Sequence, residues 1–124
     1  MPGGSSSKRL SLGRGQRLKE SRDFARLKRE GERAVCGCLI ANWQRLSAGT
    51  AARLGVVVSS KVGGAVARSR ARRLLRESFR LHRHELARPV DLVLVARPSI
   101  TGCGLAEVEK DFLATMNRAG LMVA

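Results

Sequence analysis

KVGGAVARSRARRLLRESFR, residues 61–80, decides how the rest of the chain is read. Two glycines let the backbone turn, and the run after them contains neither glycine nor proline, so it can continue as a helix. At 100° per residue, Ala67, Ala71, Leu74, Leu75, Ser78 and His82 share one arc. Arg72, Arg73, Arg76, Arg80 and Arg83 cluster on the opposite side. One face is expected to pack against a core and the other to present charge.

Residues 61–83 carry eight basic side chains (Lys61, Arg68, Arg70, Arg72, Arg73, Arg76, Arg80, Arg83) against one acid, Glu77. That stretch supplies +7 of a formal net charge of +14. Like charges at i, i+4 spacing repel, and only Arg73 has an acid four residues on, in Glu77. Repulsion of this size is tolerated where a polyanion is the usual neighbour. Arginine outnumbers lysine seven to one here, and its planar fork suits phosphate oxygens. The free N–H groups of the first helical turn point the same way. The glycine pair lacks the spacing of a dedicated nucleotide-binding loop.

The whole chain has 124 residues, of which 44% are hydrophobic, enough for one compact domain with a core. Its 24 Lys+Arg against 10 Asp+Glu favour nucleic acid as partner. No run of 18 or more apolar residues is present to span a membrane. Residues 1–17, rich in Gly, Ser and basic residues, read as a disordered basic tail. They lack both the apolar core of a secretory signal and the apolar face of a transit peptide. Residues 18–124 read as a single domain. Three cysteines, Cys36, Cys38 and Cys103, form no disulfide framework, and a reducing cytoplasm is expected. Cys36 and Cys38 are expected on one face of a strand as small core hydrophobes, too few for zinc. His82 and His84 diverge by about 200° on a helix and cannot share a metal, so both read as solvated or RNA-facing.

On either side of the arginine helix the pattern alternates between strand and helix. SRDFARLKREG can start a helix with Ser21 as N-cap and Asp23 in the first turn, and Gly31 can end it. AVCGCLIANW (34–43), LGVVVSS (54–60) and PVDLVLVA (89–96) read as strands. In the last, Val90, Leu92 and Leu94 face one way and Val93 and Val95 the other, so it is expected to be buried on both sides. Leu105, Val108, Phe112, Met116 and Ala119 recur at helical spacing, with Gly120 as stop. The order α-β-β-α-β-α implies an α+β sandwich of helices on a small sheet. No helix-turn-helix, zinc-finger, RRM or KH signature appears, so folded RNA is expected and DNA is not.

The same twenty residues closely resemble the signature of the bacterial ribonuclease P protein component. Lys61, Gly63, Ala65, Val66, Arg68, Arg70, Arg72, Arg73, Arg76, Glu77 and Phe79 stand in register with it. RLKESRDFARLKREG is similar to the family's first helix, RLGVVVSSK to the strand before the signature, and DLVLVARP to the strand after it. The resemblance implies an α-β-β-β-α-β-α sandwich, with a small mixed four-stranded sheet, three helices and a left-handed β-α-β crossover. It implies the protein subunit of a ribonucleoprotein that removes the 5′ leader of precursor tRNA, with chemistry carried by the catalytic RNA and its Mg²⁺. No catalytic residue of the protein is expected. Lys61, Arg68, Ser69, Arg70, Arg72, Arg73, Arg76 and Arg80 would contact RNA, and Phe24, Lys28, Ala41, Lys61 and Arg68 would form the leader cleft. A ribosomal or RNA-chaperone type protein is the alternative, and a protein-only nuclease lacks the acid cluster it would need.

Ser69 stands where the family has asparagine, and a hydroxyl replaces only part of a carboxamide's hydrogen bonding. Lys28 and Ala41 take positions that are aromatic in relatives, so leader binding is expected to lean on charge more than on stacking. Trp43 is read as core or rim.

Overall fold

The structure, a computed structural model, describes residues 21–46, 52–87 and 89–122. The expected tail, residues 1–17, lies outside the described residues, as do the side chains of Ser21 and Asp23. Helix α1 spans Ser21–Glu30. Gly31 ends it, its N–H donating to the Leu27 carbonyl at 2.9 Å. The reason is space: a Cβ at Gly31 would fall 2.5 Å from the Trp43 carbonyl oxygen.

Residues 34–43 do not form one strand. They divide into β1 (Glu32–Cys36) and β2 (Leu39–Arg45), paired antiparallel with Cys36 opposite Leu39. Gly37, at φ +59°, makes the two-residue turn between them. A Cβ there would collide with the Asp111 carboxylate, which accepts the Cys38 N–H at 3.0 Å. Apolar residues run straight through this turn, so hydrophobicity gave no punctuation and glycine was the one sign of it. Cys36 and Cys38 therefore do not share a strand face.

Strand β3 is Arg53–Val57, shorter than the expected 54–60, because Ser59 already caps a 3₁₀ turn at Ser60–Val62. Helix α2, Ala65–His82, carries the arginines; β4 is Val90–Ala96; α3 is Leu105–Ala119. The sheet order is β1-β2-β4-β3, with β4 antiparallel to β2 and parallel to β3. Three helices on a mixed four-stranded sheet make an α+β fold, and α2 is the crossover of a β3-α2-β4 unit.

Two apolar layers sandwich β4. On one face Leu39, Ala41, Trp43, Leu92 and Leu94 meet Leu74, Leu75 and Phe79 of α2 and Val108, Phe112 and Met116 of α3. On the other, Val93 is buried beneath Leu27 of α1, with Phe24, Val57 and Val95 beside it. The expected two-sided burial of β4 follows from this. The packed face of α2 is broader than its projection suggested. Phe79 is fully buried and meets Phe112 edge-on, with centroids 6.5 Å apart, while Ala67 and His82 are half-buried. Gly120 closes α3 in the left-handed conformation (φ +73°), as its position predicts.

Candidate nucleic-acid interface

The chain enters α2 through Gly63, whose φ of +146° suits glycine alone, followed by Gly64 in an extended conformation. No side chain caps the helix and its first turn contains no acid. The cations then divide according to whether the protein itself uses them. Arg70 donates to the Cys103 carbonyl at 2.6 Å, and Arg80 holds Glu77 through two hydrogen bonds. Glu77 thus pairs with Arg80 at i+3 and not with Arg73 at i−4. That contact keeps the Glu77 carboxyl below its ordinary range, against a smaller opposing effect of burial. Arg76 and Arg83 are also engaged. Among the described residues, Lys61, Arg68, Arg72 and Arg73 make no side-chain hydrogen bond or ion pair. The Nε of Arg68 is buried without an acceptor, a donor that costs free energy until something accepts from it.

Ser69 is exposed within the same turn. Beside it Val66 is 85% exposed, and Ala65, Val66, Ser69, Arg70 and Arg73 line a hollow of about 370 Å³. This face offers cations, a hydroxyl and a small apolar surface to an anionic partner.

A second concavity, about 540 Å³, lies between α1 and the sheet, lined by Phe24, Lys28, Arg33, Ile40, Asn42, Val57, Val93 and Val95. Phe24 and Lys28 line it together. Ala41 does not. Strand alternation turns it to the opposite face, where it is fully buried under the other helical layer, and its neighbours Ile40 and Asn42 face the cleft. Lys61 and Arg68 are not among the lining residues either. Arg33, paired across strands with Asn42, brings a cation that sequence reading missed. Recognising the hairpin would have revealed it, since the β1–β2 register places Arg33 beside Asn42. The cleft is aliphatic where an aromatic lining was the comparison, with Phe24 as its ring among the described residues.

A family profile described as Ribonuclease P matches residues 12–120. This chain belongs to the ribonuclease P protein family. It is 32% identical over 106 residues to the ribonuclease P protein component of Brevibacillus brevis, covering 86% of this chain and 84% of that one. It is 35% identical over 109 residues to that of Gluconacetobacter diazotrophicus, covering 87% and 94%. Among solved structures, the ribonuclease P protein of Thermotoga maritima superposes with a TM-score of 0.72 at 26% identity, over 82% of this chain and 96% of that one. That of Staphylococcus aureus, at 23% identity, shares the fold with a TM-score of 0.77 over 86% and 97%.

Within this ribonuclease P family fold, the histidines and cysteines lie apart from both surfaces in their chemistry. His82 is neither solvated nor free to face RNA. Its Nδ1 lies 2.7 Å from Glu85 and its Nε2 2.5 Å from Glu109 of α3, with the ring stacked near Phe112. Burial disfavours the charged imidazole, but the hydrogen bonds to Glu109 and Glu85 outweigh it and raise the pKa. His84 is exposed. A raised folded pKa contributes stability fully below the unfolded value near 6.5 and loses it as pH climbs through the folded value. Urea denaturation should therefore show wild type losing its advantage over His82→Gln as pH rises above that point. A gap that does not change with pH would contradict this.

Burial pushes the Cys38 thiol up to about 12, aided by Asp111, which leaves it inert at neutral pH. Cys36 and Cys103 are free and half-buried. Among the described residues no three His, Cys, Asp or Glu side chains converge to hold a metal, and no helix is long and apolar enough to cross a membrane.

Proposed function

We propose that this chain is the protein subunit of a ribonuclease P ribonucleoprotein that removes the 5′ leader of precursor tRNA. The observation that carries this reading is the set of cations on and just before α2 that have no side-chain partner among the described residues: Lys61, Arg68, Arg72 and Arg73. Glu77 already engages Arg80, whereas these four meet no carboxylate among the described residues and suit the phosphates of a catalytic RNA. Arg70, Arg76 and Arg80 would join them only by exchanging a protein contact for an RNA one. The cleft under α1 would take the single-stranded leader. Phe24 stacks one base, worth roughly 1–3 kcal/mol. Ile40, Val57 and Val95 give the next bases a surface without π-stacking, and Lys28 and Arg33 hold the backbone. Asn42 offers a carboxamide that makes no side-chain hydrogen bond among the described residues.

In this reading Mg²⁺ would be held by the RNA and the substrate, where it would activate the attacking water. The protein's part is to bind and orient. The test is cleavage of precursor tRNA by the organism's ribonuclease P RNA at limiting Mg²⁺, with and without this chain. Stimulation by the protein is expected. No stimulation would leave a general RNA-binding protein of ribosomal or chaperone type, and cleavage without the RNA would move the chemistry to the protein.

A further inference from the structure

Helix α1 forms one wall of the cleft, yet little apolar surface holds it there. Leu27 and Val93 are the buried pair, with Phe24, Val57 and Val95 only partly covered. Burial of two such side chains must also offset the entropy of ordering the helix. Another attachment lies beside them. Asp91, fully buried on β4, faces the α1 side one alternation before Val93. A carboxylate so placed is costly unless fully paired. Arg53, its register partner on β3, forks onto both oxygens at 2.8 Å. Arg26 of α1 reaches Oδ2 at 2.7 Å and donates to Gln44 of β2 at 2.8 Å. Burial alone would raise the Asp91 pKa, and the hydrogen bonds from Arg53 and Arg26 outweigh it and lower it.

The helical projection gives these contacts a mechanical meaning. At 100° per residue, Phe24 and Lys28 lie about 40° apart on one flank of α1, and Arg26 lies about 160–200° from them on the other. Leu27 sits between the flanks, pressed on Val93. Leu27 is thus a pivot, and Arg26 prevents the helix from rolling about it.

We infer that Asp91, acting through Arg26, is a positioning residue for the cleft: it sets the roll of α1 and hence where Phe24 and Lys28 stand. The consequence for leader binding rests on the function proposed above; the consequence for the helix does not. Two variants each remove one ion pair from Asp91 while keeping an aliphatic stem, Arg26→Met and Arg53→Met. Of these two Asp91 ion pairs, only that of Arg26 comes from α1.

Amide hydrogen exchange over residues 24–30 of the intact chain should accelerate about tenfold in Arg26→Met and stay within about twofold of wild type in Arg53→Met. Arg26→Lys, which keeps a charge for Asp91, should restore most of the protection. In the assembly with ribonuclease P RNA, the ratio of Kd for leaderless tRNA to Kd for leader-bearing precursor should fall about fivefold in Arg26→Met and hold in Arg53→Met. Equal exchange in the two variants, or none accelerated in Arg26→Met, overturns the clamp. So does a leader preference unchanged in Arg26→Met. If wild type itself has no leader preference, the functional reading fails, and the exchange measurement still decides the clamp.

Discussion

Replacing Arg68 and Arg72 together by alanine is expected to weaken binding to ribonuclease P RNA by more than about 100-fold without lowering the melting temperature. Each guanidinium that meets a phosphate makes charge-assisted hydrogen bonds worth about 1.5–3 kcal/mol, so two losses exceed the roughly 2.7 kcal/mol that 100-fold requires. The slope of log K against log salt should also become shallower by about two phosphate contacts. Stability is spared because neither side chain makes a hydrogen bond or ion pair among the described residues. Arg80→Ala is the contrast. Its charge is already held by Glu77, so its loss should change affinity by less than about threefold. Filter binding across a salt series decides the matter. An unchanged double variant, or an Arg80 variant equally impaired, would remove the distinction between occupied and unoccupied cations.

Phe79→Ala is expected to destabilise the domain by about 3–5 kcal/mol. The ring is fully buried, meets Phe112 edge-on and fills the space where α2, α3 and the sheet converge. A loss of that size is a large share of the 5–15 kcal/mol typical of a folded domain. Urea unfolding followed by circular dichroism measures it, and Phe79→Leu, which keeps most of the volume, should cost less than half as much. A loss below about 1 kcal/mol for the alanine variant would mean that the two helices are held by something other than this contact.

Much of the fold was legible because periodicity and punctuation coincided. Val90, Leu92 and Leu94 separate from Val93 and Val95 by simple alternation, and the structure places the two sets under different helices. Val108, Phe112 and Met116 read as one helical face, with Gly120 at the end. The β1–β2 turn was hidden because AVCGCLIANW stays apolar through it, and the strand count came from the family resemblance. Ala41 entered the expected cleft through the family resemblance, and strand alternation puts it on the face opposite Ile40 and Asn42. Glu77 could reach Arg73 or Arg80 with equal helical logic, and only three-dimensional packing selects Arg80. Asp91 gave little signal. An acid inside an apolar strand declares that partners exist, but Arg26 lies 65 positions away and Arg53 lies 38 away.

The position of β4 also bears on how the molecule is made. It stands between β2 and β3 and is the last strand among the described residues. During synthesis β3 therefore has no neighbour to pair with, and the apolar side of α2 no sheet to cover, until residues 90–96 emerge. The basic face of that helix is already formed in sequence by then, and meets a cell full of nucleic acid before the domain behind it exists. Closure of the sheet is a late, long-range event, which favours an all-or-none transition over stepwise assembly.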